Sequence, residues 1–549
     1  MKPTFFFLPS RFILLNFILF FVLFSTSIIS AGDWTGWRGA NRDGIAHESG
    51  LLRNWGEEDP PLLWKNTSVG SSMNGMTVVG TMTYTIGVKS GVECVFCIEN
   101  NTGKTIWARP IGKAVAKTSY PMSRSTPTFY RNMLYVLSSS GNLVCLNSSN
   151  GYVTWTRNLI ATAGGVLPRG GYCESPYVDG KWVLVTPGGP NATIVAINRH
   201  NGQNVRNGSA PWVAKAGIPA GYSSIIKASF GKEHQYVQFT GAGVIGVKVR
   251  GGDVRWKYEK TAHPSGVNVS PPIWFGQTVL TSSAEGTAVI WVQKAGSTYN
   301  TEEVWFNEDI KIPTGDIIKV NDNVFACTSE HGLICFDYKT GKINWSDDSL
   351  FPEEEEKSSK SSKKTRTSKS TALMDFPSMM TADPTEWFLG FLQHYPSENL
   401  LAQAQRLPVL PTPPSMKIPP ATRRSSQKSK RAAPPAIPTK MASMTYAEGL
   451  LYVRTSAGEL ALIEASASGF KLRGRFSFPQ MKKGYAVTPV VSNGLLFLRE
   501  GGSIFCFDLH DVSSKNNTKT DDNKNDNKKP LPGMPQTPKT NIRKPPRVG

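Results

Sequence analysis

A short pattern that recurs along the chain constrains the fold more than any other feature. In six segments an apolar stretch is followed by a turn with a Gly, and a Trp or Arg stands four residues after that Gly. A seventh copy has a longer turn and ends at Trp305. Consecutive copies between Trp107 and Trp345 end 40 to 51 residues apart, the length of a propeller blade of about four strands. The six regular copies end at Trp107, Trp155, Arg206, Trp256, Trp345 and Arg473.

The residue types within each copy suit a β-hairpin. Alternating apolar positions before the turn bury one face of a strand, and Gly accepts the positive φ that tight turns require. A large aromatic side chain at the end of the copy can fill the wedge between neighbouring blades. We therefore interpret the terminal tryptophans as structural residues of the blades.

A second element recurs upstream of each hairpin: a Ser/Thr-Pro step followed by an apolar strand. Proline can begin a strand without breaking its interior hydrogen bonds. This element predicts two further strands per repeat, and so four-stranded blades. It appears at Ser125-Thr126-Pro127, Ser175-Pro176, Ser270-Pro271-Pro272 and Thr488-Pro489.

The two ends of the repeat region complement each other. The last copy reaches Asp508 without a Trp, whereas PPLLWKNT near the start is an isolated strand that contains Trp64. We predict that this N-terminal strand completes the C-terminal blade, because closure protects the open edges of a propeller. The expected fold is all-β: an eight-bladed β-propeller of four-stranded antiparallel blades. Its signature tryptophans are Trp64, Trp107, Trp155, Trp256, Trp305 and Trp345.

Three segments lie outside the repeats. An apolar run over residues 12–29 follows Lys2 and Arg11 and precedes small residues, which is typical of a cleaved signal peptide or of an uncleaved membrane anchor. Charged and Pro-rich low-complexity sequence predicts a disordered insertion and a disordered tail. Within the insertion, residues 387–395 are either a docking helix or a helix packed on the propeller. The expected layout is a signal peptide or anchor at 1–31, propeller at 33–350, insertion at 351–440, propeller at 441–512 and basic tail at 513–549.

The net charge of +20 does not indicate nucleic-acid binding. Much of this charge lies in the leader, the insertion and the tail, where aromatic side chains that could stack on bases are not interleaved with it. We therefore expect no nucleic-acid partner.

The cysteines follow the repeat. Cys97, Cys145, Cys335 and Cys506 share one repeat position, which indicates small buried strand residues. Cys94 and Cys97 are three apart in a strand and so point to opposite faces. Cys327 and Cys335, on adjacent predicted strands, are the better candidates for a disulfide.

The repeats resemble the pyrroloquinoline-quinone (PQQ) repeat, and the opening DWTGWRGANRDG resembles the start of exported bacterial PQQ-like propellers, often of planctomycete-type organisms. The resemblance covers residues 33–350 and 441–510 approximately. It implies two alternatives, because this family includes quinoprotein alcohol dehydrogenases and a non-catalytic outer-membrane assembly lipoprotein. Many of the dehydrogenases cover the cofactor with a ring of two adjacent cysteines, and this sequence has no Cys-Cys pair. PQQ and calcium are expected only under the dehydrogenase alternative.

A propeller places a binding site where loops converge at one end of its channel. The loops before the entry strands are therefore the candidates, and RGGYCESP at 169–176 combines Gly-rich backbone with opposite charges. Its alternative interpretation is an ordinary salt-bridged loop. No catalytic or metal-ligating residue is predicted, since the sequence shows neither paired histidines, a nucleophile elbow nor a phosphate loop. The candidate residues are Lys117, Arg124, Arg169, Glu174, His263 and Asn268.

From these features we expect an exported, monomeric, non-catalytic binding or scaffolding propeller of the cell envelope. Its expected partner is an envelope protein or polysaccharide, and it contacts the membrane only if the N-terminal segment stays uncleaved. The alternative is a PQQ-dependent alcohol dehydrogenase.

Overall fold

The computed structural model describes residues 32–56, 58–115, 123–203, 212–351, 438–481 and 486–511. These residues form eight four-stranded antiparallel blades, and a short fifth strand, β1 (Ile45–Ala46), is added in parallel to blade 7. The predicted eight-bladed propeller is thus confirmed. The leader, residues 352–437 of the insertion (which include 387–395), the tail, Lys117 and Arg206 lie outside the described residues.

Each blade runs from an innermost to an outermost strand in chain order, except that the outermost strand of blade 8 is β2 (Leu62–Asn66). Blades 1 to 4 consist of β3 (Thr77–Val79), β4 (Met82–Lys89), β5 (Val92–Glu99), β6 (Thr105–Lys113); β7 (Thr128–Tyr130), β8 (Met133–Leu137), β9 (Asn142–Asn147), β10 (Val153–Asn158); β11 (Tyr177–Asp179), β12 (Trp182–Val185), β13 (Ile194–Asn198), β14 (Val213–Ala214); and β15 (Ile226–Phe230), β16 (Glu233–Thr240), β17 (Gly243–Lys248), β18 (Val254–Tyr258). Blades 5 to 8 consist of β19 (Ile273–Phe275), β20 (Thr278–Ser283), β21 (Gly286–Ala295), β22 (Thr298–Asn307); β23 (Ile318–Val320), β24 (Asn323–Thr328), β25 (Gly332–Asp337), β26 (Ile343–Asp347); β27 (Ala442–Ala447), β28 (Leu450–Thr455), β29 (Leu460–Glu464), β30 (Leu472–Phe476); and β31 (Val490–Ser492), β32 (Leu495–Glu500), β33 (Ser503–Asp508) with β2. A short helix, α1 (Leu159–Ala163), follows blade 2 and is capped by Asn158.

The tryptophans join neighbouring blades. In six blades a Trp in the outermost strand, or directly before it, donates a hydrogen bond of 2.5 to 3.1 Å from its Nε1 atom to a carbonyl three residues before the turn Gly of the next blade. At five of these glycines a Cβ atom would lie only 2.4 to 2.6 Å from the indole, so a larger residue does not fit. The recurring Gly and Trp are therefore two halves of one contact between blades. The six tryptophans are Trp64, Trp107, Trp155, Trp212, Trp305 and Trp345.

Two blades depart from the predicted signature. In blade 3 the docking residue is Trp212, which donates to the carbonyl of Val249, and not Arg206. In blade 4, Trp256 donates instead to Gln235 of its own blade. The cause is the longer seventh copy: β21 and β22 form a hairpin of two ten-residue strands, and its Tyr299 packs into the core that contains Trp256.

The N-terminal strand closes the ring as predicted. β2 pairs antiparallel with β33, and Trp64 lies opposite Cys506. The other predicted cysteines occupy the same position: Cys97, Cys145 and Cys335 lie opposite Trp107, Trp155 and Trp345. A small residue is needed there because the indole of the neighbouring strand lies across it. At the equivalent Gly246, a Cβ atom would lie 2.1 Å from Trp256.

The cysteines are all free and buried. Cys94 and Cys97 belong to different core clusters, which confirms that they point to opposite faces. The predicted disulfide between Cys327 and Cys335 is wrong. Cys327 lies opposite Leu333 and Cys335 opposite Phe325, so the two cysteines are diagonal neighbours, and diagonal Cβ atoms are separated by more than a disulfide spans. Within the described chain, no helix has the length and apolar character to cross a membrane.

Candidate functional site

The central channel has two ends that differ in their loops. At the entry end, the chain passes from one blade into the innermost strand of the next, and residues such as Pro127, Pro176, Pro272 and Pro489 precede these strands. At the turn end, a two-residue turn joins the innermost strand of each blade to its second strand. The predicted site residues that the structure describes belong to the entry end.

The N-terminal segment, residues 32–48, lies inside the ring of innermost strands. Trp34 exchanges backbone hydrogen bonds with Val78 of blade 1, and the carbonyl of Thr35 accepts from Phe129 of blade 2. β1 pairs with β27 of blade 7, and the carbonyl of Gly32 accepts a hydrogen bond from blade 8. With the side-chain contacts of two arginines, the segment reaches seven of the eight blades, which is only feasible from within the channel.

Arg42 anchors this segment to blades 3 and 4. Its guanidinium donates to the carbonyls of Ser175 and Ile225 at 3.1 and 3.0 Å and also to that of Pro176. It lies 4.8 Å from the ring centroid of Tyr177. Burial lowers the pKa of Arg42 to about 10, partly offset by Tyr177 and Glu174, so the group remains a cation at neutral pH. Its hydrogen bonds to backbone carbonyls compensate for the loss of water.

Arg38 anchors the same segment to blades 6, 7 and 8. Its Nη1 atom forms a buried ion pair with Asp316 at 2.7 Å, and Nη2 donates to the carbonyl of Ile317. The other carboxylate oxygen of Asp316 accepts from Thr488 and from the backbone of Met444. One buried arginine and one aspartate therefore tie the channel segment to three blades.

The loops predicted to converge do contact one another on blades 2 to 5. Arg124 donates to the carbonyl of Gly170, the amide of Gly170 donates to the hydroxyl of Tyr222, and the amide of Tyr222 donates to the carbonyl of Asn268. Burial raises the pKa of Tyr222, and the charge of nearby Arg169 acts weakly in the opposite direction. Arg124, Arg169 and Asn268 thus belong to one continuous set of entry loops.

Glu174 does not point at these arginines. Its carboxylate is buried and accepts hydrogen bonds from the amide and hydroxyl of Thr186. Burial raises the pKa of Glu174 to about 8, although the hydrogen bonds of Thr186 and the charge of Arg42 act in the opposite direction. Burial similarly raises the pKa of Glu93 to about 7, against the hydrogen bonds from Ser139.

His263 forms a local turn. Its amide donates to the side chain of Asn268, its Nδ1 atom lies 2.7 Å from the hydroxyl of Ser265, and its Nε2 atom lies 3.6 Å from Glu285. Asn268 in turn donates to the carbonyl of Thr240. The side chains of His263 and Asn268 therefore both stabilise the conformation of these loops.

Sequence reasoning missed Arg38 and Arg42 as functional residues. The signal that could have found them is the opening DWTGWRGANRDG, in which two arginines lie among glycines and tryptophans ahead of the first repeat. That stretch was interpreted only as part of a resemblance. Its meaning depends on the channel, which the remainder of the chain builds.

Among the described residues, no group of three or more His, Cys, Asp or Glu side chains could hold a metal ion. The guanidinium group of Arg38 donates to the carbonyl of Ile317 at blade 6, and that of Arg42 donates to the carbonyls of Ser175 and Ile225 at blades 3 and 4. One cavity, between blades 6 and 7, measures about 10 Å³ and is lined by Phe325, Trp345 and other apolar residues. It can hold one water at most.

Comparisons with known proteins agree with this fold. The family model described as outer membrane protein assembly factor BamB matches residues 48–161 and 91–347, together more than half of the chain. No curated protein matches the sequence.

Solved structures similar to this chain have low sequence identity to it. Quinohemoprotein alcohol dehydrogenase from Comamonas testosteroni is 11% identical, with a TM-score of 0.50 over 90% of this chain and 82% of that one. Quinohemoprotein alcohol dehydrogenase ADHIIG from Pseudomonas putida HK5 is 9% identical, with a TM-score of 0.50 over 92% and 83%. BamB from Moraxella catarrhalis is 9% identical, with a TM-score of 0.46 over 82% of this chain and all of that one. The chain belongs to the PQQ-repeat β-propeller family that the BamB model describes.

Proposed function

We propose that this chain is an exported, non-catalytic binding or scaffolding propeller of the cell envelope. The observation that carries the proposal is the occupation of the channel by residues 32–48, held by Arg38 and Arg42. An enzyme of this architecture needs room for a cofactor and a substrate where its loops converge. Here the chain itself occupies that room, and the exposed loop surfaces are left for binding.

The family assignment supports an envelope role, since the matching model is described as an outer membrane protein assembly factor. An apolar run at 12–29 followed by Ser30, Ala31 and Gly32 agrees with export. N-terminal sequencing of the protein recovered from the envelope or periplasmic fraction tests this part. We expect a new N-terminus close to Gly32, and recovery from the cytoplasm with residues 1–31 intact would contradict export.

The catalytic alternative is tested on purified full-length protein supplied with PQQ and Ca²⁺. Equilibrium dialysis measures cofactor binding, and a dye-linked assay measures alcohol oxidation. We expect neither saturable binding of PQQ nor turnover, with a quinoprotein alcohol dehydrogenase as the positive control. Stoichiometric PQQ binding with dye reduction would overturn the scaffold proposal in favour of a quinone-dependent dehydrogenase.

A further inference from the structure

The first turn of every blade has the same backbone conformation but not the same residue. Its first residue has a φ between 48° and 62° in all eight blades. Gly tolerates this left-handed conformation at no steric cost and Asn tolerates it better than most residues, whereas a long side chain is strained there. Six blades follow this rule, with Gly80, Gly180, Gly231, Gly276, Asn321 and Asn493. The exceptions are Arg131 in blade 2, at 50°, and Glu448 in blade 7, at 48°.

Glu448 has a structural explanation. Its carboxylate accepts from the amides of Gly50 and Leu51, and Arg53 donates to its backbone carbonyl. An acidic side chain at this turn therefore holds a stretch of polypeptide that runs across the turn end. The strained conformation of Glu448 is therefore accompanied by hydrogen bonds that its carboxylate accepts from main-chain amides.

Arg131 has no such explanation within the described residues. Its side chain is exposed and forms no hydrogen bond or ion pair there, and its nearest feature is the ring of Tyr130, 5.5 Å from the guanidinium carbon. The guanidinium of Arg199 lies 5.3 Å from the same ring. Strained residues that the fold does not use are concentrated at binding sites. Arg131 is therefore a candidate for contact with a partner.

Further cations continue along the turn end from blade 2 to blade 4. Lys181 and Lys232 follow Gly180 and Gly231 in the equivalent turns of blades 3 and 4, and both are exposed. Arg199 and Arg250 lie in the turns that precede the outermost strands of the same two blades. Arg199 bonds to the carbonyl of Gly180, which brings it next to Lys181. We call this set, Arg131, Lys181, Arg199, Lys232 and Arg250, the cationic arc.

The acidic groups near the cationic arc leave its charge largely uncompensated. Asp179 is paired with Lys227 at 2.7 Å, and Glu233 with Arg255 at 3.0 Å. Asp253 is the remaining exposed carboxylate of these turns. Arg131, Lys181, Lys232 and Arg250 have no ion-pair partner in the described chain. A surface with one sign of charge attracts a partner of the opposite sign and speeds its association.

We propose that the cationic arc is a docking surface for an acidic polypeptide segment of a partner protein. This inference rests on the proposed scaffold function and names the chemistry of its partner. Polypeptide is favoured because the equivalent turn of blade 7 already binds main chain, at the amides of Gly50 and Leu51, with the charge of the side chain reversed. The paired guanidinium groups beside Tyr130 suit carboxylates, which arginine binds through a planar fork.

The test measures binding of a fluorescein-labelled hexaglutamate peptide to the full chain by fluorescence anisotropy, at two salt concentrations. The arc variant is R131E/K181E. The matched control is K104E/K342E, which changes the net charge equally at exposed turns of blades 1 and 6. We expect the arc variant to bind the peptide about tenfold more weakly than the control, with a difference that shrinks at high salt. Unchanged thermal unfolding of both variants confirms that they are folded.

Three outcomes would overturn the proposal. Equal weakening by both variants would assign binding to overall charge, including the basic tail. If the peptide did not bind measurably, an acidic polypeptide would be excluded as the partner of the cationic arc. Dextran sulfate that binds the arc more tightly than the peptide does would assign the surface to an anionic polysaccharide. The assay contains no quinone, so its result is independent of the PQQ experiment.

Discussion

Blades 1 to 4 and blades 6 to 8 differ in what surrounds their buried carboxyl groups. In blades 6 to 8, buried carboxylates face arginines: Asp316 pairs with Arg38, and Glu500 forms a two-point ion pair with Arg454 at 2.6 and 3.0 Å. In blades 1 to 4, the buried carboxyl groups Glu93 and Glu174 accept hydrogen bonds from Ser139 and Thr186 instead of facing a paired cation.

The exposed turn end shows the same contrast. Blades 6 to 8 carry ion pairs such as Lys339 with Asp322 and Arg473 with Glu464. Blades 2 to 4 also carry two ion pairs, Lys227 with Asp179 and Arg255 with Glu233, but beside them lie the cations of the cationic arc, most of which have no ion-pair partner in the described chain. Exposed ion pairs contribute little to stability, but they neutralise a surface. Both sides of the ring contact the N-terminal segment, but only the turn end of blades 2 to 4 keeps a set of cations without ion-pair partners among the described residues, and this is the surface proposed above for docking.

The largest effect is expected from breaking a buried pair on the closed side. Arg38→Met keeps the apolar stem but leaves Asp316 without its cation, and we expect a loss of about 3 kcal/mol or more of unfolding free energy. Thermal or urea unfolding of the full chain measures it. In the double variant R38M/D316N, the buried charge is gone, so the loss should be smaller than in R38M alone. Equal stability of R38M and wild type would show that the pair does not hold the channel segment.

The unpaired carboxyl groups should make stability depend on pH. The pKa of Glu174 is about 8 in the folded protein, against an ordinary 4.5, so the folded state keeps a proton that the unfolded state loses. Stability contributed by this group is present below pH 4.5 and is lost as the pH rises towards 8. Glu174→Gln should flatten this decline by an amount on the order of 3 kcal/mol between pH 5 and 8. Unfolding midpoints at both pH values provide the measurement, and an unchanged slope would contradict the prediction.

A smaller effect is expected at the strained turn of blade 7. Glu448→Gly relieves the left-handed backbone but removes the acceptor for the amides of Gly50 and Leu51. We expect a net loss of about 1 kcal/mol in unfolding free energy, because hydrogen bonds to a charged acceptor outweigh the relief. Asn493→Gly is the control, since Asn493 occupies the equivalent turn of blade 8. It should change the midpoint of urea unfolding less than Glu448→Gly does.

The smallest effect has the opposite sign and completes the comparison. Arg131→Gly relieves the same strain without removing a hydrogen bond within the described residues, so we expect a gain of about 0.5 kcal/mol in stability. The same variant should weaken binding of the hexaglutamate peptide. A variant that is more stable but binds less well marks a residue kept for function. Destabilisation by more than about 1 kcal/mol would give Arg131 a structural role instead.

The sequence by itself determined the propeller, its blade number, its closure through Trp64 and the burial of the repeat cysteines. These features follow from local patterns, because one period contains the strand, the turn Gly and the Trp that meets the next turn. The convergence of Arg124, Arg169 and Asn268 at one end was also accessible, since all three precede innermost strands.

The tertiary structure alone decided the rest. Trp212 replaced Arg206 as the docking residue because the connection before the outermost strand is longer in blade 3, and only the position of the next blade selects the indole that meets Gly252. Arg38 is 278 residues from its partner Asp316, and Arg42 is 133 and 183 residues from Ser175 and Ile225, so these contacts form only once the blades surround the channel. Whether a surface cation such as Arg131 has a partner depends on which carboxylates the neighbouring blades bring to it. Such contacts join residues that no repeat period relates, so the pattern that builds the blades contains no information about them.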